Sequence, residues 1–206
     1  MRLAVNPTRM ELSRLKKRIA LARRGHKLLK NKLDELLQKF FPLIHEVQKL
    51  REEVNSGIKR AFDSFTLARG LMSRTMIDEA IITPQYRFSV KHSLRVIMNL
   101  RVPMFEISNK GNVLSYGFVN TFAELDEALY AYSDISPKMV KLAEVEKAIH
   151  LLADEIERTR RRVNALEYIL IPNMVETIKY ISQKLSEVER GNLTRLMKIK
   201  DIVRAH

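Results

Sequence analysis

The stretch "RRRVNALEYILIP", residues 160–172, places three arginines directly before a ladder of apolar residues that ends at a proline. Within it, Val163, Leu166 and Leu170 follow one another at spacings of three and four. Alternating steps of three and four form the seven-residue repeat of a coiled-coil helix, whose apolar positions lie along one seam. The stretch therefore predicts one helix of a coiled coil. Three residues are expected on the flank beside the seam: Arg160, Arg161 and Arg162.

The seam continues far beyond this stretch. In the C-terminal third of the chain its positions are Leu142, Val145, Ile149, Leu152, Ile156, Thr159, Val163, Leu166, Leu170, Met174, Ile178, Ile181, Leu185 and Val188. A second seam in the N-terminal third runs through Leu12, Leu15, Ile19, Ala22, His26, Leu29, Leu33, Leu36, Phe40, Leu43, Val47, Leu50, Val54, Ile58, Ala61, Phe65, Ala68 and Met72. The two seams predict long helices over residues 8–76 and 137–204.

Two apolar seams in one chain are buried most simply by packing on each other. The segment between them has to reverse the chain direction, so we expect antiparallel pairing, in a register in which the numbers of facing residues add up to about 214. This register places Pro42 level with Pro172, and we expect the two prolines to bend the pair at one place. His26, a polar residue on the seam, is expected to fix the register at some cost in stability.

Between the helices, over residues 77–135, the pattern changes to the two-residue alternation of β-strands. Strands are expected at 86–92, 100–107 and 113–119, followed by a short helix at 121–133. The sequence "SNKGN" between the second and third strands suits the turn of a β-hairpin. The predicted fold class is mainly α: a long antiparallel two-helix coiled coil of the N- and C-terminal helices, with a small head of a β-hairpin and a short helix at the turning end.

Composition argues against several classes of protein. The chain has no cysteine, hence no disulfide framework and no thiolate metal site. It lacks the roughly 20 consecutive apolar residues of a membrane span and the apolar core of a signal peptide, so a cytosolic chain is expected. The six glycines do not form a phosphate-binding loop, and the five histidines are isolated from one another. We therefore expect no metal, no cofactor and no catalytic residues.

The net charge of +13 is concentrated at the two ends of the chain. Residues 1–32 contain eleven lysines and arginines against Glu11, and residues 190–206 contain five against Asp201, so together these ends carry +14. Three interpretations follow: a nucleic-acid-binding protein, a scaffold whose charge serves solubility, or a shaft whose basic tip inserts into an acidic or ring-shaped protein partner. Composition does not choose between the first and the third.

Two blocks, "RRGHKLLK" (23–30) and "RRRVNALEY" (160–168), lie in longer stretches at 6–36 and 142–190 that resemble the D subunit of the V-type and archaeal A-type rotary ATPases. The segments "YGFVNTFAELDEAL" (116–129) and "SPKMVKLAEVEKA" (136–148) are also similar to that family. The resemblance covers essentially the whole chain, with little contribution from residues 77–115.

The resemblance implies the central rotor shaft of such an ATPase, a component without catalytic residues of its own. Implied partners are the alternating A/B catalytic hexamer, the small F subunit, and the funnel-shaped subunit above the membrane ring, with no role for nucleic acid. Lysine and arginine side chains are flexible, and salt screens their attraction to acidic groups. Such side chains suit a tip that turns against changing interfaces. On that basis six residues are expected to contact the hexamer: Arg23, Arg24, Lys27, Arg195, Lys198 and Lys200. The flank residues Arg160, Arg161 and Arg162 are assigned to the F subunit.

Overall fold

The computed structural model of the chain describes residues 4–117, 119 and 121–204. Its elements, in chain order, are α1 (Arg9–Leu71), α2 (Arg74–Ile81), β1 (Arg87–Ile97), β2 (Leu100–Lys110), α3 (Ala123–Asn164), a π-helical segment (Ala165–Leu170) and α4 (Ile171–Arg204). The predicted fold class is confirmed, because the chain has a long N-terminal helix and long C-terminal helices. A two-stranded antiparallel hairpin lies between them in the sequence. None of the helices in the described part of the chain is long and apolar enough to cross a membrane.

The chain divides into two compact units. The first contains the residues up to Glu35 and those from Ile156 onward, and the second contains Leu36–Glu155. At the start of α1, the hydroxyl of Thr8 accepts a hydrogen bond from the backbone N–H of Glu11 at 3.3 Å. This is half of a capping box, and it satisfies one of the amide groups that a helix start leaves without a partner.

The predicted seams form the core of each unit. In the first unit the buried seam residues are Leu15, Thr159, Val163, Met174 and Ile181. In the second unit they are Leu36, Val47, Val54, Ala61, Ala68, Met72, Val145 and Leu152. Ion pairs bridge the seam between the two helices of each unit, such as Arg9 with Glu189 at 2.5 Å and Arg51 with Glu146 at 2.5 Å. The pairing is antiparallel, since rising residue numbers on α1 meet falling numbers on the partner helix.

The predicted register is wrong. The residue numbers of pairs that bridge the helices add up to about 195 in both units, not about 214. Pro172 therefore lies level with roughly residue 23 of α1, and Pro42 with roughly residue 153 of α3, so the two prolines do not pair. The error is close to three heptads, because a seam that repeats every seven residues looks the same after a shift by whole heptads.

The π-helical segment changes the phase of the seam in the first unit. Its six residues, Ala165–Leu170, precede Pro172 by two positions. A π-helical turn holds more residues than an α-helical turn, so it rotates the following residues by about one position. As a result Leu170, which was predicted on the seam, is exposed, and Ile171 is partly buried in its place. Val188 is also exposed, near the end of the paired part of α4.

The hairpin forms at a different turn from the predicted one. β1 pairs with β2 from Arg87↔Lys110 to Ile97↔Leu100, joined by the two-residue turn Met98-Asn99. Both turn residues have positive φ, 47° and 69°, as in a type I′ turn. The expected strands at 86–92 and 100–107 fall on β1 and β2. The third expected strand, at 113–119, is a wrong prediction, because the described residues 113–117 and 119 form no strand.

The C-terminal long helix begins earlier than predicted. The short helix expected at 121–133 and the helix expected from Pro137 are one element, because α3 continues through Pro137. The hydroxyl of Ser136 donates to the carbonyl of Tyr132 at 2.6 Å, so it bonds back into the helix and does not cap a new one. Just before α3, the hydroxyl of Thr121 donates to the Gly117 carbonyl at 3.3 Å.

A small apolar cluster closes the second unit beside α2. It consists of Ala68, Met72, Ile77, Ala80 and Leu125, with Phe65, Tyr116 and Leu129 packed against it. The hydroxyl of Tyr116 donates to a carboxylate oxygen of Asp126 at 2.5 Å. Burial, and then this hydrogen bond, raise the pKa of Tyr116 above its ordinary value. The aromatic ring therefore ties the loop after β2 to the first turn of α3.

Candidate functional site

The free end of α4 extends past the start of α1. Arg9, the first residue of α1, lies opposite Glu189, and α4 continues to Arg204. We call residues 190–204 the overhang. At 1.5 Å per residue it is roughly 22 Å long, and every residue in it is exposed. Three of the predicted partner-binding residues lie here: Arg195, Lys198 and Lys200.

The overhang also carries apolar side chains that the sequence interpretation missed. Six of them are more than half exposed: Leu193, Leu196, Met197, Ile199, Ile202 and Val203. At 3.6 residues per turn they cover roughly 220° of the helix circumference, which is wider than the stripe that one packed helix would bury. The assumed register hid this surface, because it paired residues up to 202 with α1. Apolar residues that extend beyond the end of the partner helix are the signal that would have found it.

The other three predicted contacts lie elsewhere in the first unit. Arg23, Arg24 and Lys27 are exposed on α1, level with the π-helical segment and the start of α4. Along the helix axis they are roughly 35–40 Å from Arg195, given a rise of 1.5 Å per residue. The structure therefore does not bring the six basic residues together. It separates them into an overhang group and a second group of Arg23, Arg24 and Lys27.

His26 lies beside the second group and bridges the two helices. Its Nε2 is 3.2 Å from Oε2 of Glu167, a residue of the π-helical segment. The His26 side chain is 21% exposed and that of Glu167 is 46% exposed, so water reaches the pair. The contact links α1 to the part of the partner helix where the seam changes phase.

The three flank arginines are exposed, as predicted. Arg161 forms an ion pair with Glu157, one turn earlier on α3. Such an exposed pair contributes only a few tenths of a kcal/mol, so it orients the side chain more than it stabilises the helix. The seam residues beside them, Thr159 and Val163, are buried.

No group of three or more His, Asp or Glu in the described part of the chain is arranged to hold a metal ion. The arrangement offers basic and apolar surface for a macromolecular partner.

Comparison with known proteins identifies the relatives of this chain. A family model for the D subunit of ATP synthase matches residues 11–201. The chain is 53% identical to the V-type ATP synthase D subunit of Thermoanaerobacter sp. (strain X514) over 201 residues, 97% of this chain and 96% of the relative. It is 50% identical to the V-type ATP synthase D subunit of Acetivibrio thermocellus over 203 residues, 97% of this chain and 91% of the relative. The protein of the same name from Clostridioides difficile is 49% identical over 205 residues, 98% of this chain and 92% of the relative.

Proposed function

Because the chain belongs to the family of ATP synthase D subunits, we propose that it is the central-stalk rotor subunit of a V/A-type ATPase. In this role it transmits torque between the catalytic hexamer, which hydrolyses or makes ATP, and the membrane ring that moves ions. It contributes no catalytic residue, because the groups that act on ATP belong to other subunits. It works in the cytoplasm, at the periphery of the membrane, as part of the ATPase's soluble sector.

The overhang is the observation that carries this proposal. A single helix of about 15 residues is marginally stable in water by its own propensity. The overhang also exposes apolar side chains on several sides, so it gains stability when other protein surfaces surround it. A channel through a ring of subunits provides such surroundings on all sides. We therefore assign the overhang to the pore of the A/B hexamer.

The basic side chains complement this apolar surface. Arg195, Lys198 and Lys200 extend into solvent from the overhang, where they can contact acidic loops of the hexamer. Long cationic side chains keep their attraction over several geometries, which suits a tip that turns past successive interfaces. Arg23, Arg24 and Lys27 form a second level of contact, roughly 35–40 Å along the shaft from the first.

The remaining partners are proposed for other surfaces. The flank residues Arg160, Arg161 and Arg162 are exposed and available to the F subunit. The funnel-shaped subunit that connects the rotor to the membrane ring is the third partner.

Reconstitution of the ATPase from its subunits tests this function. Two charge-reversed variants separate the two levels of contact: Arg195, Lys198 and Lys200 to Glu in one, and Arg23, Arg24 and Lys27 to Glu in the other. A third variant replaces Leu196, Ile199 and Val203 by Ser. The matched control reverses three exposed lysines of the second unit: Lys39, Lys49 and Lys59. Complex formation is measured by size, and coupling by ATP-driven ion transport.

We expect the overhang variants to lower complex formation or coupling by about tenfold or more, equivalent to roughly 1.4 kcal/mol, while helicity by circular dichroism is unchanged. The control variant should assemble as the parent does. Normal assembly and coupling in all three test variants would refute the assignment of the overhang to the hexamer. Nucleic acid added as a competitor should leave assembly intact, and displacement of the chain by it would favour the nucleic-acid interpretation.

A further inference from the structure

The two faces of the β-hairpin in the second unit differ, because Val102 is buried on one face while Val90, Leu94 and Val96 are exposed on the other. Val102 is 4% exposed and lines one cavity together with Leu43 and Val145 of the two helices. Cross-strand pairing places the side chains of the opposite face together. We call this the outer face. Of its apolar members, three are exposed (Val90, Leu94 and Val96) and four are partly buried (Phe88, Pro103, Phe105 and Ile107). Leu94 is 60% exposed and Val96 is 66% exposed, so apolar surface on this face is in contact with water.

The outer edge of β1 is free. The sheet has only two strands, so β1 has β2 as its single neighbour among the described residues. In an antiparallel pair every second residue directs its N–H and C=O away from the partner strand. The N–H of Phe105 points outward in this way on β2, where it donates to a carboxylate oxygen of Glu144 at 2.9 Å. Phe105 pairs with His92, so the N–H and C=O of His92 point outward from β1.

The position of Pro103 supports this assignment. It pairs with Leu94, two positions from His92, so both residues are also of the outward-pointing type. A proline has no N–H, and here it removes no bond from the ladder. By the same alternation, the backbone N–H and C=O groups of Val90 and Val96 also point outward from β1. In the described part of the chain no other element donates to or accepts from this edge.

A groove at the base of the hairpin continues the outer face. It encloses about 470 Å³ and is lined mainly by apolar side chains, among them Phe88, Leu129 and Met139. Tyr86 also lines it, and the buried hydroxyl oxygen of this residue has no hydrogen-bond partner among the described residues. Phe88 belongs both to the groove and to the outer face, so the two surfaces join.

Charge restricts what can occupy the edge. The β1 side chains that alternate with the outer face include Arg87, Lys91 and Arg95. Across residues 87–110 five lysines and arginines stand against one acid, Glu106. A second copy of this chain paired through β1 would bring like charges together, which is destabilising. An acidic strand would be attracted.

We propose that the free edge of β1 accepts an extended segment of another subunit in which apolar and acidic side chains alternate. The backbone of the segment bonds to the outward groups of Val90, His92, Leu94 and Val96, as in strand addition to other sheet edges. Its apolar side chains cover the outer face and one of them enters the groove beside Tyr86, while its acidic side chains meet Lys91 and Arg95. The proposal rests on the proposed function, since the segment belongs to a subunit of the same ATPase.

Amide hydrogen exchange tests the proposal on the full chain, alone and in the reconstituted ATPase. In the free chain the outward amides of His92, Leu94 and Val96 should exchange quickly, and the amides of Lys91, Ser93 and Arg95, which face β2, should be protected. In the complex the outward amides should slow by about tenfold or more. The inward amides of the same strand serve as the internal control.

Two variants distinguish strand addition from other modes of contact. His92→Pro removes an outward N–H and leaves the ladder to β2 intact, with His92→Ala as its control. The double variant Leu94→Glu and Val96→Glu places charge on the outer face, with Leu67→Glu as its control, since Leu67 is 62% exposed on α1 in the same unit. We expect both test variants to abolish the slowed exchange and both controls to retain it.

Every other outcome counts against the proposal. Fast exchange of the outward amides in an intact complex would refute it while leaving the rotor assignment standing. Slowed exchange that survives His92→Pro would mean contact without strand pairing. Slowed exchange in the free chain that disappears on dilution would identify a second copy as the occupant. Failure of the chain to enter the complex at all would instead refute the proposed function.

Discussion

Gly57 of α1 lies directly against Ile135 of α3. A Cβ built on the glycine would be 2.1 Å from Cδ1 and 3.1 Å from Cγ1 of the isoleucine. Ile135 is 4% exposed, so its side chain has little room to move aside. The contact explains why a residue of low helix propensity stands in the interior of a 63-residue helix, since only glycine allows this approach.

Alanine at Gly57 should therefore destabilise the chain. We expect Gly57→Ala to lower the free energy of unfolding by about 1–3 kcal/mol, because the added methyl overpacks the contact with Ile135. Gly25 of α1 is the matched control, since nothing lies within 4 Å of a Cβ built there. Gly25→Ala should raise the free energy of unfolding by about 0.5–1 kcal/mol through helix propensity. Urea denaturation followed by circular dichroism measures both, and equal effects of the two changes would contradict the argument.

Valine at Thr159 should stabilise the chain. Thr159 is fully buried on the seam, and its hydroxyl has no hydrogen-bond partner among the described residues. Thr159→Val keeps the shape and removes the unsatisfied oxygen, so we expect a gain of about 1 kcal/mol in the free energy of unfolding. Thr177 is equally buried, but its hydroxyl donates to the Asn173 carbonyl at 2.7 Å. Thr177→Val should bring no comparable gain, and a loss of stability in Thr159→Val would show that its hydroxyl is satisfied.

Leucine at His26 should stabilise the isolated chain slightly. The change buries apolar surface on the seam, worth about 1 kcal/mol. It also removes the contact between His26 Nε2 and Glu167, and a water-accessible polar contact of this kind contributes only a few tenths of a kcal/mol. We therefore expect a net gain of roughly 0.5 kcal/mol in thermal unfolding experiments. Glu167→Gln tests the contribution of the His26–Glu167 contact by itself. A loss of more than about 1 kcal/mol in the free energy of unfolding of that variant would show that the contact is a major source of stability.

Tyr116 should make the stability of the chain sensitive to alkali. Because its pKa is raised in the fold, the protonated phenol stabilises the native state, fully below the ordinary pKa of 10.0 and less as the pH rises above it. Tyr116→Phe removes this dependence and, at neutral pH, costs about 1 kcal/mol through the lost hydrogen bond to Asp126. Unfolding measured from about pH 8 to 11 should show the parent losing stability faster than the variant above roughly pH 10. Parallel curves would contradict the prediction.

Periodicity alone was enough to predict the two seams, because burial along a coiled coil repeats in the sequence. Leu15, Leu36, Leu152 and Ile181 are all fully or nearly fully buried where the seven-residue repeat placed them. The repeat could not predict which residues of the two helices face each other, since a shift by whole heptads leaves every seam residue on the seam. Only contacts between the helices, such as Arg9 with Glu189, fix it. The apolar surface of the overhang was missed for the same reason.

Local signals failed where a residue adopts a conformation that is unusual for its type. The hairpin turn lies at Met98-Asn99, although methionine is rarely found with positive φ and the sequence lacks the usual Asn-Gly. Gly111, in the stretch predicted as the turn, has φ of +101°. A Cβ there would be 2.1 Å from the Gln85 carbonyl oxygen, so this glycine ends the hairpin and does not form its tip. The six basic residues predicted as contacts to the hexamer are exposed, but their separation into two groups depends on the register.

The π-helical segment Ala165–Leu170 has a consequence for how this sequence can change over time. Gain or loss of one residue in a heptad repeat rotates every later position by about 100° and removes the following apolar residues from the seam. A wide turn absorbs one such residue, since Met174 and Ile181 return to the buried side after it. This turn is therefore a place where the long helix can tolerate an insertion or a deletion that would be disruptive elsewhere along its length.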